Sequence, residues 1–245
     1  MLHKPKGQST LFAIIGIVVV ALVVLSFFLV KQHRKSPEVQ KTVSFEQQVK
    51  NVQSYVQECS TEALKDALRT IGIQGGYYLT TEERKAITPF GTTAYVYDEK
   101  NILISQENMK LEIVKFLKVN IKKTCTFQPF KDLTITPGNF SATASLTSTK
   151  AILPASWPID VTRETTSSLN AYTVEIESRL SAIHTFLNTI LEDLETPQAY
   201  RIDRDLPEGM DLYIVQQDKE ALYIIVDKQV PINDKPYRFF VKVKF

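Results

Sequence analysis

One apolar stretch near the start of the chain limits what this protein can be. From Leu11 to Val30 the sequence reads LFAIIGIVVVALVVLSFFLV, 20 residues without a charged side chain. A helix rises about 1.5 Å per residue, so this stretch matches a bilayer core of about 30 Å. A secretory signal peptide would have a shorter apolar region and a small-x-small cleavage site, whereas Phe27 to Leu29 here lead directly into Lys31. We therefore expect a transmembrane helix that is retained as an anchor in the lipid bilayer.

Charge is divided unevenly between this region and the rest of the chain. Residues 1–35 contain 5 basic and no acidic side chains, out of 29 and 27 in the whole protein. Residues 36–245 therefore carry 24 basic and 27 acidic side chains, a formal charge of −3. A nucleic-acid-binding domain would concentrate Lys and Arg in its folded part, so we expect no nucleic-acid partner. A hydrophobic content of 44% argues against disorder.

The charges that flank the apolar stretch leave its orientation open. Lys4 and Lys6 precede the stretch, whereas four basic residues follow it, namely Lys31, Arg34, Lys35 and Lys41. Basic residues favour the cytoplasmic side, so this comparison leans slightly toward a cytoplasmic body. Long domains can translocate against a small charge bias, so this count alone does not decide the orientation of the body.

The residues before the apolar stretch resemble a known leader. Lys6-Gly7-Gln8-Ser9-Thr10, running directly into an apolar helix, resembles the leader of type IV pilin-like proteins, and Gln8 after Gly7 is most similar to the archaeal class III signal sequence. The resemblance covers roughly the first 25 residues. It implies cleavage by a prepilin peptidase between Gly7 and Gln8, a filament core built from the apolar helix, and a body outside the cell. Phe12 stands at the fifth mature position, where that family usually has an acidic residue.

The body that follows reads as an α+β fold, with amphipathic helices packed on antiparallel β-sheet. Apolar residues from Phe45 to Ala63 are spaced 4, 3, 4, 3, 4, which predicts a helix ended by the glycines after residue 71. Packing within its own domain is favoured over a coiled-coil stalk. Second and third helices are predicted at 109–121 and 176–194, the last closed by Pro197. We divide the chain into a leader (1–10), a transmembrane helix (11–30), a juxtamembrane linker (31–42), a helix-hairpin-helix subdomain (43–128) and a β-rich subdomain with one long helix (129–245).

Alternating apolar residues predict the strands. A hairpin is expected from residues 94–97 and 102–105, and a strand at 140–146. Pro154 and Pro158 should confine the strand at 152–161 to a sheet edge or to an irregular course. Short connections favour an antiparallel meander of the C-terminal strands at 212–215, 222–226 and 237–245.

Few residues suggest chemistry. Cys59 and Cys125 lie on inward-facing helix positions, so they form either a disulfide in an oxidising compartment or two free core thiols. Neither a metal site nor a cofactor is expected, because no C-x-x-C, H-E-x-x-H, P-loop or dinucleotide motif occurs. We expect His184 to be solvated. The acidic residues of the 203–208 segment could form a calcium loop, but Arg204 and Pro207 break the ligand spacing and favour a solvated loop.

These observations predict a single-pass, membrane-anchored protein with an extracytoplasmic α+β body. Its expected role is non-enzymatic, as a structural or binding module at the cell surface with other membrane or surface proteins as partners. One alternative is a pilin-like filament subunit processed after Gly7. Another is a membrane-tethered enzyme or receptor with an unrecognised pocket.

Overall fold

The structure is a computed structural model that describes residues 44–195 and 206–245. The predicted transmembrane helix, the linker and the Gly7–Gln8 processing site lie outside the described residues, as does Pro197. Among the helices of the described ranges, none combines the length and the apolar character needed to cross a membrane. Residues Phe45–Phe245 form one compact unit.

Residues 44–195 and 206–245 contain three α-helices, which are α1 (Phe45–Ile73), α2 (Gln106–Thr124) and α3 (Leu180–Leu194). The first two helix predictions are confirmed. Gly75 and Gly76 follow α1 with φ of 68° and 99°, a conformation that favours glycine and ends the helix. The backbone N–H of Asn108 donates to the Ser105 side chain at 3.3 Å, which caps the start of α2.

The described part of the chain also has ten strands. In chain order they are β1 (Lys85–Thr88), β2 (Gly91–Asp98), β3 (Thr134–Pro137), β4 (Ser141–Ala142), β5 (Ser145–Leu146), β6 (Lys150–Thr162), β7 (Thr166–Glu177), β8 (Met210–Gln217), β9 (Glu220–Ile232) and β10 (Lys235–Lys244). A turn of 3-10 helix, Glu82–Arg84, precedes β1.

Helix α3 starts four residues later than we predict. Ile176 belongs to β7, where it pairs with Ala151 of β6. The strand pairing continues to Glu177, and the backbone N–H of Ser178 then donates to the Thr149 carbonyl at 2.9 Å. Ile176 and Leu180 are spaced as on one face of a helix. Ile176 nevertheless pairs with β6 across the sheet, so it is not part of the helix.

The first sheet has the order β1-β2-β10-β9-β8. Its last three strands form the predicted antiparallel meander, and the β9–β10 turn has φ of 53° at Asn233 and 57° at Asp234. Two consecutive residues with positive φ are typical of a type I′ hairpin turn. Strand β2 joins the meander by pairing parallel with β10, a contact between segments distant in sequence.

The predicted hairpin of residues 94–97 with 102–105 is wrong. Strand β1 covers only residues 91–94 of β2, so this side of β2 is open at residues 95–98. There Asn101 bridges back to Tyr97 and Ile102 N donates to the Val96 carbonyl at 2.8 Å, but residues 102–105 form no strand. Residues 102–105 then lead into α2.

The second sheet is organised around β6, which is central, so the edge position, one of the two alternatives that we predict for this strand, is wrong. Strand β7 flanks one side, and the other side carries β3, β4 and β5 in succession, so the predicted strand at 140–146 is split. The course is irregular, as expected, with a register shift between Ser156 and Ile159.

The two prolines explain both the central position and the breaks. In an antiparallel ladder the N and O of one residue face the same neighbouring strand. The Pro154 carbonyl accepts from Thr143 N at 3.1 Å and the Pro158 carbonyl accepts from Gly138 N at 2.7 Å. The missing N–H groups of both prolines therefore face the interrupted side, at the gaps between β3, β4 and β5. The ladder to β7 loses no donor at these two positions.

In the described residues, one hydrophobic core joins the three helices and both sheets. Its members include Leu68 of α1, Ile113 of α2, Trp157 of β6, Leu187 of α3 and Phe239 of β10. Helix α1 packs on α2, β7 and β10, and so contacts both sheets. The core continues across residues 128–132, where we place the boundary between the two subdomains.

A disulfide joins Cys59 of α1 to Cys125 at the end of α2, with the two Cα atoms 5.3 Å apart. Both residues are buried, and 66 positions separate them in sequence. The bond therefore closes a long loop and fixes α2 against α1.

Removing this bond should destabilise the body. Closing a loop of 66 residues is worth about 4 kcal/mol in loop-closure entropy, so Cys59→Ala combined with Cys125→Ala should lower the free energy of unfolding by about that amount. Urea unfolding of the full chain in a non-ionic detergent measures it. Wild-type protein treated with reductant serves as the control and should approach the variant, whereas equal unfolding midpoints for oxidised wild type and variant would contradict the expectation.

Candidate functional site

His184 is buried, so the prediction of a solvated histidine is wrong. Its Nε2 lies 2.6 Å from the carbonyl oxygen of Ile104, which accepts a hydrogen bond from the ring. The spacing of apolar residues predicts a narrow line along α3 that includes Leu187. The buried face of the helix is wider, because it also includes Phe186 and Leu191. Burial lowers the pKa of His184, and the hydrogen bond to Ile104 opposes this shift. The ring therefore holds the segment before α2 against α3.

A groove beside the 3-10 turn is a candidate for the unrecognised pocket of an enzyme or receptor. It measures about 630 Å³ and lies between the 3-10 turn and α2. Arg84 Nη1 donates to the hydroxyl of Tyr77 and, at 3.1 Å, to the carbonyl of Ile102. The buried Glu112 carboxylate accepts from Tyr78 N at 3.0 Å and pairs with Lys115. These polar groups are therefore paired within the protein, and they hold the loop after α1 against α2.

A buried ion pair lies at the start of α3. Arg179 Nη1 donates to Asp227 Oδ1 at 3.2 Å, and also to the Glu208 carbonyl and the Gln229 side chain. Asp227 is only 1% exposed, and nearby Tyr237 has a pKa raised by its burial and by the Asp227 charge. The pair ties α3 to β9.

The residues considered for a calcium loop do not assemble a cluster in the described part of the chain. Asp203 and Asp205 lie outside the described residues, and Glu208 contributes its backbone oxygen to Arg179. Within residues 44–195 and 206–245, no three His, Cys, Asp or Glu side chains are placed to hold one metal ion.

The outer edge of β8 exposes three consecutive apolar side chains. Strand β8 is the terminal strand and, among the described strands, pairs only with β9. Tyr213 and Val215 are 51% and 54% exposed, and Ile214 between them is 38% exposed. We call residues 211–217 on this strand the β8 edge. An edge strand presents unpaired backbone N–H and C=O groups, which can accept a further strand.

The β8 edge lacks the features that usually protect such strands. It contains no Lys and no Pro, and its one charged residue is Asp211. That carboxylate pairs with Lys228 and accepts from the Tyr213 hydroxyl at 3.0 Å, contacts that lower its pKa. Sequence analysis identifies the strand here but not its edge position. The sequence feature that could have indicated an edge strand is the run Tyr213-Ile214-Val215 followed by two glutamines.

Comparisons with protein-family models, with curated protein sequences and with solved structures each found no match.

The buried imidazole should make stability depend on pH. The unfolded chain protonates His184 near pH 6.5, whereas the folded chain does so only at lower pH, so the unfolded state binds more protons between these values. The free energy of unfolding should fall as the pH drops below about 6.5 and level off below the folded pKa. In His184→Gln, whose amide can still donate to Ile104, this component should vanish. Urea unfolding of both proteins at successive pH values tests it, and identical pH profiles would refute it.

Proposed function

We propose that the chain is a single-pass membrane protein whose body, residues 45–245, lies outside the cytoplasm and has a non-enzymatic binding role. The observation that carries the binding role is the β8 edge. In this proposal the body associates with a second copy of itself by pairing the two β8 strands.

Two features support the proposed location. The 20 uncharged residues from Leu11 to Val30 are long enough to span a bilayer. The disulfide between Cys59 and Cys125 favours an oxidising compartment, because cytosolic thiols are usually kept reduced.

The residues of β8 are complementary to themselves in an antiparallel pair. A pair centred on Ile214 would place Tyr213 opposite Val215 of the second copy, an aromatic and β-branched combination that stabilises sheets. Asp211 would lie opposite Gln217, so no like charges face each other. The two copies would then share one continuous sheet about a two-fold axis.

The location is tested by labelling from outside the cell. Glu164 is exposed in the β6–β7 connection, so Glu164→Cys provides a reactive thiol away from the native disulfide. A membrane-impermeant maleimide should label this variant equally on intact cells and after lysis. Alkylation without reduction should leave Cys59 and Cys125 unmodified. Labelling of the Glu164→Cys thiol only after lysis would place the body in the cytoplasm.

Self-association is tested by adding charge to the β8 edge. Tyr213→Lys with Val215→Lys should shift the full chain in non-ionic detergent from dimer to monomer, because two like charges would meet two others across the pair. The matched control is Leu79→Lys with Ile87→Lys, which replaces two residues that are 72% and 80% exposed elsewhere. Sedimentation equilibrium measures the mass. A monomeric wild type, or equal dissociation in both variants, would refute pairing through β8.

A pilin-like subunit remains the second candidate function, and the leader Lys6-Gly7-Gln8 favours it. In that case the helix at 11–30 packs with copies of itself after cleavage. Mass spectrometry of the protein from the labelling experiment separates the two. A mature chain that begins at Gln8 supports the pilin-like subunit, and an intact Met1 contradicts it.

A further inference from the structure

A pocket separate from the β8 edge lies between the last turns of α1 and the β9–β10 turn. Its volume is about 470 Å³. Three cationic side chains and several apolar ones line it. We call this the basic pocket, and its lining is Arg69, Ile73, Ile232, Lys235, Pro236, Tyr237 and Arg238.

The close approach of α1 to β10 brings these cations together. A Cβ added at Gly72 would lie 2.5 Å from the carbonyl oxygen of Arg238, so only glycine fits there. The buried Tyr237 hydroxyl donates to the Leu68 carbonyl at 3.0 Å, which holds strand and helix at this distance. Arg69, one turn before Ile73, and Arg238, one residue after Tyr237, therefore line the same cavity.

The three cations lack anionic partners within the described chain. Elsewhere on the body, cations such as Lys115 and Lys242 pair with carboxylates. Arg69, Lys235 and Arg238 form no ion pair with any carboxylate of the described residues. Asp66 and Asp234, the carboxylates nearest to them in sequence, do not pair with them either.

This arrangement is unexpected on a body that is acidic overall. Residues 36–245 carry 24 basic and 27 acidic side chains, a charge of −3, yet three positive charges converge here. Arg69 is half-buried, whereas Lys235 and Arg238 are exposed. Ile73, Ile232 and Pro236 form the apolar part of the lining beside the three cations.

We propose that the basic pocket binds a phosphate group. Two guanidinium groups can each donate a pair of parallel hydrogen bonds to phosphate oxygens, and an ammonium adds a point charge. A single carboxylate would neutralise only one of the three cations, whereas a phosphate dianion or a diphosphate balances most of the charge. The phosphate can belong to a soluble compound or to the headgroup of an anionic lipid, since both present the same oxygens.

The binding test uses the full chain in non-ionic detergent, with pyrophosphate titrated by isothermal calorimetry. Wild type should bind saturably. The variant Arg69→Gln, Lys235→Gln, Arg238→Gln should bind at least about tenfold more weakly, because each lost cation removes charge-assisted hydrogen bonds.

The matched control for this experiment is Lys100→Gln, Lys118→Gln, Lys131→Gln. It makes the same change in net charge at three exposed lysines outside the pocket and should bind as wild type does. No saturable binding by wild type, or equal weakening in pocket variant and control, would overturn the proposal. Neither result depends on the membrane side of the body or on the β8 edge, so the proposal stands or falls separately from the proposed function.

The source of the phosphate is assigned by a second arm. The wild-type chain is placed in nanodiscs of phosphatidylcholine, with or without phosphatidylglycerol, and the pyrophosphate titration is repeated in parallel with the lysine control. If raising the salt concentration makes the affinities with and without the anionic lipid equal, the loss is screened repulsion and the pocket takes soluble phosphate. If the anionic lipid still weakens pyrophosphate binding at the same high salt concentration, its headgroup competes for the pocket. Either result supports a phosphate site.

Discussion

The structure depends on the packing of one helix, α1, against two sheets at once. Its buried face includes Val52, Ala63 and Leu68, and it contacts β7 of one sheet and β10 of the other. Gly72 lets the helix approach β10 more closely than any residue with a Cβ would allow. The disulfide at Cys59 adds α2 to this assembly. Without α1, each sheet would expose an apolar face, and the single core would separate into two.

Much of the secondary structure could be predicted because it follows local periodicity. The spacing of apolar residues predicts α1 and α2, and strict alternation predicts the last strand. The pairing of β2 with β10 could not be predicted, because it joins segments that are distant in sequence and depends on which strand edge is left free. The hairpin predicted at residues 94–105 is limited to one bridge, because residues 102–105 leave β2 and lead into α2. The start of α3 was misplaced because Ile176 satisfies a helical spacing and a strand alternation equally well.

The surfaces of interest were harder to predict than the elements that carry them. The sequence places Cys59 and Cys125 on inward faces, but only the tertiary structure shows that their Cα atoms lie 5.3 Å apart. His184 was misread because the width of a helix face depends on what packs against it. The basic pocket combines Arg69 with Arg238, which no sequence spacing relates. Edge position and charge convergence are properties of the tertiary structure, so the candidate sites emerge only at that level.

The prolines of β6 have a consequence for how the second sheet comes apart. On one side β7 is held by a long ladder with a single register shift, so most of its residue pairs have hydrogen-bonded neighbours along the strand. On the other side, Pro154 and Pro158 divide the pairing into three short ladders, of which β4 and β5 contribute two residue pairs each. A short ladder has fewer neighbouring pairs to hold it closed. The two borders of one central strand therefore differ in cooperativity, which is lower toward residues 134–146 than toward β7.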